Sequence, residues 1–237
     1  MFPTRRITTS GGDVFRDEYS LAFDGSDEYA NCGDDSSLDL SDNLTLCGWI
    51  KTSTASAGYV LAKGNESDSD GYLVLVASNK IRLYNNNTDL LASSTSVADG
   101  VWHHFGITYD KSTTTRAIYI DGVADITSTA FDASIATATE NFVIGALSDG
   151  GTSNFTGSIS ELIVWNTTLS SNQIKQLYNG REPFDARNIA KSNLVGYWRM
   201  GDGLENSSGT TIYDMSDNTN NGALTNHTGV YSGDVPR

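Results

Sequence analysis

The sequence predicts an all-β protein, a two-sheet antiparallel β-sandwich that carries one short helix towards its C-terminal side. Short apolar runs alternate with Gly, Asn, Asp and Ser from Tyr19 onwards. Several of these runs alternate apolar and polar side chains with the period of two that a strand requires. The three prolines stand at positions 3, 183 and 236, outside the apolar runs, as strand hydrogen bonding demands.

The apolar runs set the candidate strands in order along the chain. They cover residues 19–24, 28–32, 44–51, 58–63, 72–77, 80–84, 89–93, 102–109, 115–121, 141–145, 155–165, 194–200 and 210–213. With 237 residues, the chain is within the size range of a single β-sandwich domain.

Two strands predict which side chains face inward. The apolar face of the run 102–109 consists of His103, Phe105, Ile107 and Tyr109. The run 159–165 places Glu161 in one file with Ile159, Ile163 and Trp165. Because an unpaired buried charge is very costly, we expect Glu161 to have a partner or a ligand.

One helix is predicted after the last long strand. Ser170 and Gln173 have capping-box spacing, Ile174 and Leu177 form an apolar stripe, and Gly180 suits a left-handed C-terminal position. Residues 1–18 are polar and without periodicity, so we interpret them as an N-terminal arm that orders only against a partner, and residues 19–237 as the sandwich.

Composition excludes several classes of partner. The formal net charge of -14 opposes binding to nucleic acid or to an anionic membrane. No apolar run approaches the roughly 20 residues of a membrane span, and no apolar stretch follows Arg5 and Arg6, so we expect neither membrane insertion nor a secretory signal. Cys32 and Cys47 could form a bridge or stay as buried free thiols, and the free form is favoured because the pair is isolated.

Three motifs in order resemble one known family. They are the opening Ser20–Tyr29 with Leu44–Lys51, the pair Trp102-His-His with Tyr119-Ile-Asp-Gly122, and Phe155-Thr-Gly-Ser-Ile-Ser-Glu161 followed by Leu169-Ser170. Together they resemble the laminin-G-like, pentraxin-like jelly roll of the concanavalin A-like lectin/glucanase superfamily. This resemblance covers about residues 19–180 and implies the fold far more firmly than a function.

The segment 194–237 departs from the pattern of that family. Leu194–Asp202 and Thr211–Asn218 resemble a stretch that usually precedes the jelly roll, but here they follow it. We expect 194–237 to return to the sheet beside strand 19–24, since domain termini commonly lie close together. This order is also similar to that of uncharacterised laminin-G-like proteins of marine bacteriophages.

Catalytic residues are not predicted. The sugar-cleaving relatives carry a Glu-x-Asp-x-(x)-Glu pattern on one strand, which is absent here, and retaining hydrolysis needs two carboxylates about 5 to 5.5 Å apart. His103 and His104 are adjacent on a strand, so they face opposite sides and cannot act together. Zinc is unsupported because no His/Cys ligand spacing occurs.

Calcium is the one cofactor that the resemblance implies. By position in the pentraxin pattern its ligands would be Asp68, Asp70, Asp149 and Asn154, with a solvated acidic turn as the alternative. A second calcium position would use Asp24 and Glu161, with an arginine or hydrogen-bonded partner for Glu161 as the alternative.

Glycan contacts require an aromatic plate and nearby amides. The candidates are Tyr59, Tyr72, Tyr84, Asn85, Asn86 and Asn87, with ordinary hairpin turn chemistry as the alternative.

These observations predict a non-catalytic, lectin-like structural or surface-binding protein. We expect a virion surface component, either a capsid decoration or a tail or fibre protein, that contacts neighbouring structural proteins through residues 1–18, assembles as an oligomer and binds host-surface glycans. The alternatives are a secreted or cell-surface calcium-dependent carbohydrate-binding module and a degenerate glycoside hydrolase.

Overall fold

The computed structural model describes residues 15–66, 70–85, 88–129, 135–148, 153–227 and 231–237. Its strands are β1 (Ser20–Asp24), β2 (Tyr29–Asn31), β3 (Asn43–Lys51), β4 (Gly58–Lys63), β5 (Tyr72–Ala77), β6 (Lys80–Asn85), β7 (Thr88–Ala92), β8 (Trp102–Asp110), β9 (Thr115–Ile120), β10 (Val123–Ser128), β11 (Phe142–Ile144), β12 (Thr156–Trp165), β13 (Leu194–Trp198), β14 (Thr211–Ile212), β15 (Gly222–Thr225) and β16 (Tyr231–Ser232). Every strand predicted from the sequence is present.

The strands form two antiparallel sheets of eight, which confirms the predicted β-sandwich. Sheet I has the order β10-β9-β8-β3-β12-β1-β16, and β13 also pairs with β12. Sheet II has the order β14-β15-β2-β11-β4-β5-β6-β7. The main hydrophobic core lies between the sheets and draws side chains from both.

The sequence analysis missed strands β10, β15 and β16. Strand β10 follows β9 through Asp121 and Gly122, both of which have positive φ (51° and 73°). An Asp-Gly pair with positive φ at both positions is the sequence signature of a tight hairpin turn. That dipeptide alone could therefore have predicted β10, although the polar residues within β10 weaken the strand pattern.

The outer face of sheet I is covered by the helix α1 (Ser171–Tyr178). Its capping box is present: the Ser170 hydroxyl accepts from Gln173 N and the Gln173 side chain accepts from Ser170 N. A 3-10 turn (Asn179–Arg181) follows, with Gly180 left-handed at φ 69°. Ile174 and Leu177 are buried against the sheet. The predicted helix and both of its ends are confirmed, and among the described residues no helix is long and apolar enough to cross a membrane.

The C-terminal segment contributes to both sheets. Strand β13 pairs with the second half of β12, and β1 pairs with the first half, so both lie along one side of β12. The direct neighbour of β1 on its other side is β16. Strands β14 and β15 extend sheet II beyond β2.

Both cysteines are free and buried. Cys47 lies on the outer face of sheet I, in the apolar cluster beneath α1. Cys32 packs in the core between the sheets. A bridge is therefore not formed, because the two side chains belong to different cores.

Candidate functional site

A β-bulge in β12 positions the most unusual carboxylate of the protein. Opposite β3, the register advances two residues from Trp49 to Cys47 but three from Ser160 to Ile163. Glu161 is the residue at the bulge and has a left-handed φ of 49°. A left-handed residue other than glycine is unusual within a strand, and β-bulges are over-represented next to functional sites.

The bulge breaks the predicted file of side chains in β12. Ile159 faces the core between the sheets, whereas Ile163 and Trp165 lie in the outer cluster under α1. The prediction that Ile159, Ile163 and Trp165 share one face was wrong, because the extra residue inverts the alternation. The expectation that Glu161 has a partner is confirmed: it is 1% exposed and accepts a 3.0 Å hydrogen bond from Arg199 Nε.

Arg199 is the centre of a polar cluster that joins distant parts of the chain. The Arg199 guanidinium also donates to the backbone oxygens of Arg16 and Asp202. Glu161 accepts a second hydrogen bond, from the Tyr197 hydroxyl. Arg199 also lies over the ring of Phe15, with 4.3 Å between the guanidinium carbon and the ring centroid. Arg199 thus holds the N-terminal segment against β12.

Two further carboxylates complete the cluster. Asp202 Oδ2 accepts from the backbone N–H groups of Glu18 and Tyr19 at 2.7 and 2.9 Å. Asp17 Oδ1 accepts from the Ser160 hydroxyl at 3.2 Å, whereas Asp17 Oδ2 is buried without a hydrogen-bond partner. The described part of the predicted arm, residues 15–18, is therefore ordered by the protein itself, and residues 1–14 lie outside the described residues.

Burial makes these carboxyls harder to ionise, and neighbouring carboxylates add to the effect. Burial, reinforced by the charges of Glu161 and Asp202, raises the pKa of Asp17 to about 9. Burial also raises the pKa of Glu161 to about 7, although Arg199 and Tyr197 act in the opposite direction. The pKa of Asp202 is raised as well, mainly by burial. Near neutral pH this acidic triad (Asp17, Glu161, Asp202) therefore keeps at least one proton unless another cation replaces it.

The acidic triad can bind a metal ion. One carboxylate oxygen from each residue lies within 4.8 Å of the others. Oxygen ligands bind Ca²⁺ at 2.3–2.6 Å, so ligands on opposite sides of one ion are about 5 Å apart. The unpartnered Asp17 Oδ2 supplies a lone pair that no protein group uses. Charge, spacing and donor chemistry all fit a hard divalent cation.

Two of the calcium ligands predicted from the resemblance, Asp70 and Asn154, lie too far apart to share one ion. Asp70 lies beside Gly64, after the end of β4, and Asn154 lies beside Gly58 at its start. Six residues of strand separate these ends by about 20 Å, so one ion cannot contact both side chains. Asn154 donates to Glu28 O instead. Asp68 and Asp149 lie outside the described residues.

The pairing of Asp24 with Glu161 is not formed either. Asp24 pairs with Thr156, five residues along β12 from Glu161. Its carboxylate accepts from Ser26 N in an exposed turn. The arginine partner considered as the alternative for Glu161 is the arrangement that the structure contains.

Three of the four described residues among the predicted glycan contacts are buried. Tyr72 is 0% exposed and donates to Leu38 O, so it belongs to the core between the sheets. Tyr59 is 1% exposed and donates to Glu66, and Asn85 donates to Gly71 O. Because these three side chains are buried, they cannot present an open face to a sugar. Tyr84 is partly exposed, and Asn86 and Asn87 lie outside the described residues.

Sequence reasoning missed Asp17, Arg199 and Asp202. The run Arg199-Met-Gly-Asp202 carries only a resemblance to the family, and Asp17 lies in the predicted N-terminal arm. One signal was available: a lone carboxylate in an apolar strand needs a cation. Nothing in the sequence shows which of the 15 Lys and Arg residues supplies it.

Two packed antiparallel sheets with a helix over one of them define a lectin-type β-sandwich, the concanavalin A-like class. The profile of the Laminin_G_3 family, described as the concanavalin A-like lectin/glucanases superfamily, matches residues 24–175. Since that match covers well over half of the chain, the protein belongs to this family.

Individual relatives share the fold at low identity. The chain is 30% identical over 169 residues to the mouse sushi, von Willebrand factor type A, EGF and pentraxin domain-containing protein 1. The match covers 67% of this chain but 5% of the mouse protein. A Bacteroides ovatus protein assigned as carbohydrate binding superposes with a TM-score of 0.70 at 19% identity, over 97% of this chain and 66% of that one. A heptameric SAP-like pentraxin of Limulus polyphemus gives a TM-score of 0.54 at 19% identity, over 68% and 82% of the two chains.

Proposed function

We propose that this protein is a non-catalytic carbohydrate-binding module. The observation that carries the proposal is the extent of the likeness to the Bacteroides ovatus protein assigned as carbohydrate binding, which spans 97% of this chain. That likeness includes the C-terminal strands, which lie outside the residues matched by the family profile. Family membership supports the same conclusion.

The burial of Glu161 within the acidic triad favours binding over hydrolysis. Glycoside hydrolases place two carboxyl groups on either side of the scissile bond, so both must be open to the sugar. Among the described residues the one cluster of three carboxylates is Asp17, Glu161 and Asp202. Glu161 is 1% exposed and is held by Arg199 and Tyr197. A polysaccharide cannot reach such a group.

A glycan array and a hydrolysis assay test this function together. We expect the purified protein to bind at least one oligosaccharide class on the array and to release no reducing sugar from a broad panel of polysaccharides. Absence of binding to every glycan would overturn the carbohydrate-binding proposal. Steady release of reducing sugar would overturn the non-catalytic part of it.

For its location, we propose the surface of a virion. Support comes from the acidic net charge of -14, which suits an outward-facing particle protein, and from the polar composition of residues 1–14, which precede the segment that Arg199 holds. The rival location is an extracellular or cell-surface protein. Mass spectrometry of purified particles from the source culture decides: we expect the chain in stoichiometric amounts, and its presence only in the particle-free supernatant would overturn the virion location.

A calcium-stabilised acidic triad is a second candidate function, and the unpartnered Asp17 Oδ2 favours it. Bound calcium would supply positive charge that replaces the retained proton, with Asp17, Glu161 and Asp202 as its ligands. A ligand that binds only the folded state at a hundred times its dissociation constant stabilises by about 2.7 kcal/mol. We expect calcium to raise the thermal midpoint of the wild type but not of Asp17→Asn. Equal midpoints of the wild type with calcium and with chelator would exclude the site.

A further inference from the structure

A groove lies on sheet I where β3 ends and β12 begins. Its volume is about 250 Å³, and it is lined by the ends of β3 and β12, the residues that follow β3, Gly100 and Asp234. Gly157 lets the strands approach closely, since a Cβ there would lie 2.4 Å from Lys51 O. We call this feature the Lys51 groove, after the lysine that lines it.

Asp234 organises one wall of the Lys51 groove. Its carboxylate accepts from Lys51 Nζ at 2.6 Å and from the Trp102 indole N–H at 3.0 Å. Its backbone oxygen accepts from the Ser20 hydroxyl at 2.7 Å. These contacts hold the C-terminal residues across the outer face of the sheet and keep the charged side chains in place before any ligand arrives.

The groove presents many hydrogen-bonding groups that the protein does not use. Ser53, Thr54, Thr156 and Ser158 line it, and none of their four hydroxyls bonds to another described residue. Lys51 Nζ donates one of its three N–H groups to Asp234, and the Asp234 carboxylate retains free lone pairs. Hydroxyl groups, an ammonium group and a carboxylate are complementary to the donors and acceptors of a sugar ring.

An aromatic ring stands at the edge of the same groove. Trp102, Lys51 and Ser158 are directly opposite one another across β8, β3 and β12, which places them in one row on the outer face of sheet I. Trp102 is partly exposed, whereas Trp49, Trp165 and Trp198 are at most 2% exposed. An indole beside polar groups is the combination that binds the apolar face of a sugar.

We propose that the Lys51 groove binds a neutral sugar residue of an oligosaccharide, with Trp102 against the ring and Lys51, Ser158 and Asp234 on its hydroxyls. The proposal rests on the carbohydrate-binding function and assigns its site. The volume is slightly below the roughly 300–1,000 Å³ of pockets for drug-sized ligands, so the groove accommodates about one ring.

Charge selects a neutral sugar over an acidic one. The two charged residues that line the groove, Lys51 and Asp234, neutralise each other as an ion pair. The protein as a whole carries a formal net charge of -14, which repels carboxylated and sulfated glycans at a distance. A neutral hexose is not subject to this repulsion.

Steric filling of the groove tests the site. Ser158→Leu places a branched side chain in the row between Lys51 and β1, and Thr127→Leu makes the same kind of change on the exposed strand β10 as a matched control. We expect Ser158→Leu to weaken binding to the array-selected neutral oligosaccharide by ~10-fold or more and Thr127→Leu to leave it within ~2-fold. Circular dichroism of both variants establishes that they are folded.

A second measurement does not depend on the leucine variant. Titration of the wild type with the same oligosaccharide is followed by the NMR signals of the four indole N–H groups, and we expect the Trp102 signal to shift while the three buried indoles stay in place. Wild-type binding with an unmoved Trp102 signal and an unaffected Ser158→Leu would overturn the groove as the site but leave the proposed function intact. Binding only to sialylated or sulfated glycans would overturn the neutral ligand class, and no binding to any glycan would overturn the proposed function itself.

Discussion

Arg199 Nε donates to Glu161 Oε1 over 3.0 Å, and both side chains are buried although 38 residues separate them. This pair links the bulge of β12 to the residue that follows β13. Because Arg199 also holds Arg16 and Asp202 through their backbone oxygens, the pair decides how the N-terminal segment enters the sandwich.

Removal of that guanidinium should be costly. Arg199→Met keeps an aliphatic stem but removes the guanidinium that lies over Phe15. It leaves Glu161 buried without its cation, which typically destabilises by about 3–5 kcal/mol. Urea unfolding measures the free energy of unfolding. The matched control is Arg187→Met. The ion pair that it removes, between Arg187 and Asp185, is partly exposed and should contribute less than about 1 kcal/mol. Equal losses in the two variants would contradict a central role for Arg199.

Asp17 predicts a pH dependence of stability. Burial and the nearby carboxylates raise its pKa to about 9, so its protonated form stabilises the fold fully below the unfolded pKa near 4, and this stabilisation is lost as the pH rises towards 9. The free energy of unfolding of Asp17→Asn should therefore rise relative to that of the wild type as the pH rises, by about 1 kcal/mol or more at pH 9. Urea unfolding at pH 5, 7 and 9 measures the difference, with the exposed Asp217→Asn as control. Parallel stability curves for Asp17→Asn and the wild type would show that the carboxyl is not perturbed.

His103 should titrate above its ordinary range. Its Nδ1 lies 3.0 Å from Asp121 Oδ2 and its Nε2 3.2 Å from Asp99 Oδ1, and the bond with Asp121 is the largest cause of its raised pKa. The charged imidazole stabilises the fold fully below the unfolded pKa, and that contribution is lost as the pH rises through the raised value.

NMR titration of the imidazole signals checks this assignment. Asp121→Asn should lower the pKa of His103, whereas Asp110→Asn, at the exposed end of the same strand, should not. A His103 titration curve that is unchanged by Asp121→Asn would contradict the proposed contact. His104 is an internal reference, because burial lowers its pKa to about 4.

The two thiols should be unreactive in the folded protein. Cys32 and Cys47 are buried, and burial raises the pKa of both, so neither supplies an exposed thiolate. A thiol reagent such as Ellman's should detect no thiol under native conditions and both after denaturation without reductant. Absence of thiols after denaturation would indicate a disulfide that the structure does not contain.

Local patterns predicted much of the fold because their causes are local. The alternation in 102–109 correctly placed Phe105, Ile107 and Tyr109 in the core, since successive side chains of a regular strand must point to opposite faces. The capping residues Ser170 and Gln173 correctly marked the start of α1, because they satisfy backbone groups within a single turn.

The sites were harder to predict because their members are remote in sequence. Tyr72 and Tyr84 look alike in the sequence, but the first faces the core and the second is partly exposed. The Lys51 groove joins Lys51 to Asp234, 183 residues apart, and neither residue stands out within its own segment.

The sequence by itself determined the class of the protein: two antiparallel sheets, one capped helix, and a carboxylate in β12 that had to find a cation. Only the tertiary structure decided that this cation is Arg199, that Asp17 and Asp202 join Glu161, and that Asp234 closes a groove over Lys51. The physical reason is that secondary structure follows from sterics and hydrogen bonding between near neighbours, whereas charge pairing depends on which strands the fold places side by side.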